Sequence, residues 1–311
     1  MKPSDEIHKK IQEEIDRRGG KVNSIEDLNE IARIVTDKQN RMPHPDFEGL
    51  SPSQMFYIVN DPVSEQIIGL RDDLDAHIVS ELQLVKAAMI ILNQIDPEKG
   101  LKLTVTGKLP RKAVSEIHSA GIFKQDYDLV LPPKVMNEDD FIPAGMVHIL
   151  LKLARFVRTS KNKMLLTRTG RSAMKDPVEL FSGVYRAFAH SFNKAWFDRY
   201  ESEEIGNVGF DFTIYLLSRY GDKMRSCEFY AEKYFKAFPM LADLPVSYYN
   251  SNNSCLEVRA FKHGLYLFGL VDREVIKTEG YFKEYSWKRS TAFENVFVLK
   301  LWKDCPLDLL E

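Results

Sequence analysis

The sequence predicts a mainly α protein made of consecutive helical modules that carry short β-hairpins. Two observations lead there: helix-start signals recur along the whole chain, and strand-like runs are few and short. The composition agrees. A chain of 311 residues with 44% hydrophobic and 28% charged side chains is neither disordered nor fibrous, and is long enough for two or more domains.

Ser24 followed by Ile25, Glu26 and Asp27 starts one helix, and Gly19-Gly20 reads as the stop of the helix before it. Ser51-Pro52-Ser53-Gln54 starts the next, with serine as N-cap, proline at the first helical position and glutamine reaching back. A longer helix is expected over 79–95, and another over 144–158. Asp176-Pro177-Val178-Glu179 opens the clearest one, in which Phe181, Tyr185, Phe188, Phe192 and Trp196 recur every three or four residues. That stripe reads as a buried seam in preference to a stacking platform for bases. Further helices fit 210–219, 226–238 and 253–268. Strands are expected at 101–106 and 164–167, with a hairpin over 271–289 that turns near Gly280 and carries Val275, Tyr281, Tyr285 and Trp287.

Breaks fall at 126–140, which holds Pro132-Pro133 and Glu138-Asp139-Asp140, and at 244–253. They divide the chain into an N-terminal helical region (1–78), a first module (79–140), a basic module with further helices (141–245) and a C-terminal helix and hairpin module (246–311).

One phrase occurs twice, 63 residues apart: Leu103-Thr104-Val105-Thr106-Gly107-Lys108 and Leu166-Thr167-Arg168-Thr169-Gly170-Arg171. Leucine can bury a strand end, threonine can cap the orphan amides of the next turn, and glycine permits a backbone that side chains disfavour. In the second copy, helix, short strand and Leu-Thr-x-x-Gly-Arg opening another helix resemble the end of a winged helix-turn-helix domain, where strand and wing follow the recognition helix. The first copy departs from that pattern, since Leu109-Pro110-Arg111-Lys112 restarts the helix at proline. A third copy is suggested only by the order of elements: a helix over 256–268, Gly269-Leu270-Val271-Asp272 entering a hairpin, and Thr291 capping a last helix. The resemblance implies a winged-helix-like architecture, most clearly over 141–200. Separately, the wording of 49–55 and 101–112 is similar to that of a group of uncharacterised bacterial proteins, a likeness that brings no activity with it.

Charge is segregated along the chain. Residues 151–175 hold eight cations (Lys152, Arg155, Arg158, Lys161, Lys163, Arg168, Arg171 and Lys175) and no acid. Taking eight positive charges from a total of −2 leaves −10 for the remainder. A chain so close to neutral can grip a polyanion only through such a local patch. On the expected helix, His148, Lys152 and Arg155 fall opposite an apolar face, and Lys102, Lys108, Arg111 and Lys112 add to the first module. If these side chains are open and unpaired they suit phosphates: Lys152 and Arg155 from the helix, Arg168 and Arg171 from the wing, Lys175 at the periphery. The alternative is that they favour a helix dipole and pair with the acidic remainder.

Catalytic and metal chemistry finds little support. Cys227, Cys255 and Cys305 form no C-x-x-C or C-x-x-H spacing, which suits a reducing compartment. His44 is a lone loop histidine, Asp72-Asp73-x-Asp75 lacks the glycine and distal glutamate of a calcium loop, and Ser182-Gly183 lacks a nucleophile-elbow context. The charged N-terminus and the absence of a long apolar run lead to the expectation of an unanchored cytoplasmic protein. The reading is therefore a non-enzymatic protein without cofactor or metal that contacts DNA or RNA through its basic module. The rival is a protein-interaction scaffold of winged-helix-like units.

Overall fold

A computed structural model describes residues 3–123, 136–246, 251–279 and 282–300. The fold is mainly α with short antiparallel β-hairpins, as the sequence predicts. Helices α1 (Pro3–Arg17) and α2 (Ile25–Asn40) are separated by Gly19 and Gly20, both in the left-handed region. Ser24 caps α2 by accepting from the Asp27 amide, and the Ser51/Gln54 capping box starts α3 (Pro52–Asn60). After β1 (Ile68–Leu70), the helix expected over 79–95 is two helices. Asp75 caps α4 (Ala76–Glu81), and extended backbone at Leu82 separates it from α5 (Gln83–Asn93).

A first unit follows. Strand β2 (Leu101–Lys102) leads to α6 (Arg111–Ser119), then α7 (Ile142–Leu153), β3 (Val157–Ser160) and β4 (Lys163–Leu166), all antiparallel in the order β2-β4-β3. The expected strand over 101–106 stops at Lys102 because the chain then folds into a tight turn, in which the Gly107 amide donates to the Thr104 carbonyl. Likewise α7 ends at Leu153, so Arg158 stands on a strand. Strand β2 belongs to the stretch 79–140 and β4 to 141–245, so those two stretches share one sheet. Residues 126–135 of the expected break lie outside the described residues.

Helices α8 (Arg168–Ala173) and α9 (Pro177–Arg186) come next. Phe181, Tyr185, Phe188 and Phe192 are buried as expected, and Phe268 packs against Phe181, Tyr185 and Phe188 with ring centroids 5.3–6.4 Å apart. Trp196 does not join them. The helix widens into a π-turn over Ala187–Ser191 and stops at Phe192, which leaves Trp196 on a separate turn, 67% exposed.

The order of the first unit then returns: α10 (Phe210–Tyr220), β5 (Arg225–Ser226), α11 (Cys227–Ala237), the short α12 (Pro239–Ala242), a bent helix, and the long hairpin of β6 (Val271–Glu279) and β7 (Phe282–Arg289). The bent helix joins α13 (Asn252–Leu256) to α14 (Tyr266–Phe268) through a π-helical stretch kinked at Gly264. Its sheet runs β5-β7-β6, so in both units the first strand lies beside the third and the third beside the second. The junctions agree in detail. Phe156 N donates to Leu151 O and Thr167 N to Phe156 O in the first unit; Leu270 N donates to Leu265 O and Ser290 N to Leu270 O in the second. The structural repeat therefore extends over the whole unit. The repeated phrase is not part of it, since one copy follows the first strand with Gly107 in the left-handed region and the other follows the third strand with Gly170 helical. The turn near Gly280 lies outside the described residues.

The chain closes on itself where α15 (Thr291–Val296) leads into β8 (Phe297–Leu299), which pairs with β1. One apolar cluster of buried side chains runs from Leu50 to Phe297 through both units. Within it, Arg259 is fully buried and grips Asp198 with two hydrogen bonds of 2.7 and 2.9 Å, while a third, 2.8 Å, reaches the Ile205 carbonyl.

Candidate functional site

All eight cations of 152–175 are exposed. No carboxylate of the described residues forms an ion pair with any of them. The Lys163 charge is felt by Asp96, whose carboxylate is held below its usual range chiefly by the backbone amides of Lys99 and Glu98.

The fold brings five of these residues into one succession. Lys152 lies in the last turn of α7 and its carbonyl accepts from the Arg155 amide; the Thr167 hydroxyl lies 2.7 Å and the Thr169 hydroxyl 3.1 Å from the Arg155 carbonyl. Arg168 therefore begins α8 beside Arg155. Arg171 follows one turn later, where its amide donates to the Thr167 carbonyl, and Lys175 follows where α8 ends. Two placements differ from expectation. Arg168 and Arg171 are not on a wing: the hairpin turn is Ser160–Lys163, and the arginines stand on the helix after it. His148 is not on the open side, because its Nδ1 lies 3.0 Å from Glu138 Oε2 and the ring is buried.

The sheet adds three cations. Val157 pairs with Leu166 and Thr159 with Met164 on the face that covers the core, so Arg158 and Lys163 share the opposite face with Lys102, the partner of Lys163. Lys161 stands at the turn itself. Of the four cations Lys102, Lys108, Arg111 and Lys112, Lys102 joins this surface unpaired, whereas Lys108 pairs with Asp139, Arg111 bonds Asn137 and Lys112 lies 3.8 Å from Glu116.

Backbone geometry marks the same place. Among the described residues, five non-glycine residues have left-handed backbone, and Arg155, Lys161 and Asn162 are three of them. Arg155 closes the C-terminus of α7, with its own amide bonded to Lys152 O and the Phe156 amide to Leu151 O, a position where glycine is favoured. The second unit has Gly269 there, with φ +80°. Arg155→Gly should therefore raise stability by up to about 1 kcal/mol while deleting a surface cation. A thermal melt below that of the wild type would contradict this.

Helix α7 does not offer a reading face. From Pro143 to Leu151 every residue but Ile149 is buried, and Phe197 lies where a side chain on Gly145 would stand. The sequence holds the signal, for α7 is apolar all round.

Other ionisable groups are enclosed. Burial pushes Lys194 down to about 7 and Asp211 up to about 7, while Lys194 donates to the Ala189 carbonyl and lies over the Phe188 and Phe210 rings. Among the described residues no group of His, Cys, Asp or Glu side chains is arranged to hold a metal ion, and no helix is long and apolar enough to cross a membrane.

The site thus defines a module whose cationic surface spans a β-hairpin and the two helix ends beside it. Residues 80–179, which hold all of that surface, match a family described as the Y4jL N-terminal domain. No curated protein and no solved structure matches the chain.

Proposed function

We propose that the chain is a non-enzymatic cytoplasmic protein whose first unit is a winged-helix-like module that binds nucleic acid through the phosphate backbone. The observation that carries this is eight exposed cations, unpaired among the described residues, on one hairpin and its flanking helix ends. The shared strand order of the two units and the hairpin after α7 support the winged-helix reading. Because α7 is covered, binding is independent of base sequence, and Lys152, Arg155, Arg158, Lys161, Lys163, Arg168, Arg171 and Lys175 act by charge.

Fluorescence anisotropy with a mixed-sequence duplex tests this. Between 50 and 200 mM salt the affinity is expected to fall roughly 10³-fold, as for a protein that neutralises five or more phosphates. Replacing Arg168, Arg171 and Lys175 by alanine should reduce the slope of log K against log salt by about 3. Absence of binding at micromolar protein in 50 mM salt, or an unchanged triple variant, would overturn the proposal. A protein-interaction role has one observation in its favour: the β6–β7 hairpin exposes Val275 and Ile276 beside an irregularity in its register. Light scattering that reports self-association lost in Ile276→Lys would favour that role.

A further inference from the structure

Asp211 is a buried carboxylate without a partner. It stands in the first turn of α10 at 6% exposure, and among the described residues no hydrogen bond or ion pair reaches its side chain. Buried polar groups are rarely left in that state, because each gives up its hydration with nothing in exchange. Burial raises Asp211 to about 7 against the pull of the Lys194 charge, and Glu65 adds a smaller upward push. Lys194 does not complete it: burial lowers that amine to about 7, and its hydrogen bond goes to the Ala189 carbonyl. Since the first turn of a helix favours the ionised form, the carboxylate is set for a cation that the fold itself does not supply.

The enclosure of Asp211 has one opening. The residue lines a narrow cleft of about 160 Å³ between the end of α3 and the approach to β1. The walls include the buried Ile58, Ile67 and Ile68, and Asp61 lies on the exposed rim. Glu65 borders the cleft but is already engaged by Arg186 and by the Leu70 amide. A carboxylate at depth, an aliphatic passage and a second carboxylate at the rim are complementary to a slender molecule charged at both ends. A metal ion suits the place less well, since no group of His, Cys, Asp or Glu side chains among the described residues is arranged to hold one. We propose that this cleft binds a linear alkyl diamine. One ammonium donates charge-assisted hydrogen bonds to Asp211, the methylene chain lies between the isoleucines, and the second ammonium stays hydrated beside Asp61. The site shares no residue with the cationic stretch 152–175, so it stands or falls apart from the nucleic-acid reading.

Isothermal titration of the full chain at pH 8 with 1,4-diaminobutane, butylamine and tert-butylamine tests this. At that pH Asp211 is mostly ionised and Lys194 mostly neutral. The diamine is expected to bind once per chain and butylamine about threefold more weakly, the rim contact being solvent-exposed. The branched tert-butylamine, equal in charge to butylamine, should not enter. Asp211→Asn keeps the shape, removes the charge and should weaken the diamine at least about tenfold. Asp61→Asn should bring the diamine to the level of butylamine and leave butylamine unchanged. No saturable heat up to about 10 mM diamine overturns the proposal, as does diamine binding by Asp211→Asn equal to that of the wild type. Equal binding of butylamine and tert-butylamine overturns it too, and because that comparison uses the wild type alone it decides the matter even if Asp211→Asn does not fold.

Discussion

Gly170→Ala should cost the protein about 3 kcal/mol or more. A Cβ built at Gly170 stands 2.0 Å from the Phe156 carbonyl oxygen and 2.8 Å from its carbonyl carbon, so the collision is with main chain, which no side-chain rotation relieves. That carbonyl is itself committed, because it accepts from the Thr167 amide at 3.0 Å. On the other side the Phe156 ring fills the place of a side chain on Gly183, with its nearest atom 2.3 Å from a Cβ there. Phe156 is held between two glycines, and moving it away from one drives it into the other. With total stabilities of domains at about 5–15 kcal/mol, such a loss is a large share. Chemical denaturation checks it: a stability within about 0.5 kcal/mol of wild type, below the range of about 1–3 kcal/mol usual for overpacking, would refute the account. Thr167→Ala provides a graded comparison. It removes the acceptor for the Gly170 amide without a collision and should cost about 1 kcal/mol.

Arg259→Ala should be as damaging for a different reason. Arg259 has no exposed surface, and its guanidinium bonds both oxygens of Asp198 and the Ile205 carbonyl. Truncation leaves the largely buried Asp198 carboxylate without its counter-charge, an effect typically of about 3–5 kcal/mol. It also opens a space beside Gly206, whose left-handed backbone lies against the Arg259 stem. The double variant Arg259→Met with Asp198→Asn, which removes charge from both sides and keeps volume at 259, should recover a substantial part of the loss. Stability of the double variant no better than that of Arg259→Ala would show that packing, and not the stranded charge, dominates.

The sequence carries the helix starts well because their physics is local. The caps at Ser24, Ser51, Asp176 and Ser226 are each completed within three residues, and all four open helices. Helix ends are less legible where tertiary contacts decide them. Residues 79–95 are uniformly helix-prone, yet the chain turns at Leu82; the aromatic periodicity runs on to Trp196, yet the helix widens and stops at Phe192. Strand order could not be read at all, since β2 and β4 meet across some sixty residues with only two residue pairs. The basic stretch was legible as a composition, and its exposure was not. The four cations near 102–112 have the same local appearance, and three of them are engaged by Asp139, Asn137 and Glu116. Arg155 gives no sequence signal of its left-handed backbone, because arginine is a residue that position seldom selects.

The pairing of β1 with β8 joins Ile68 to Leu299. A ribosome would thus have to add roughly 230 further residues before the strand at 68–70 met its neighbour, and its bare edge would stay available to stray chains in the meantime. Assembly is expected to end slowly, with this late seam forming after both hairpin units have organised, and shortening the chain ahead of Phe297 would leave the seam permanently unsewn.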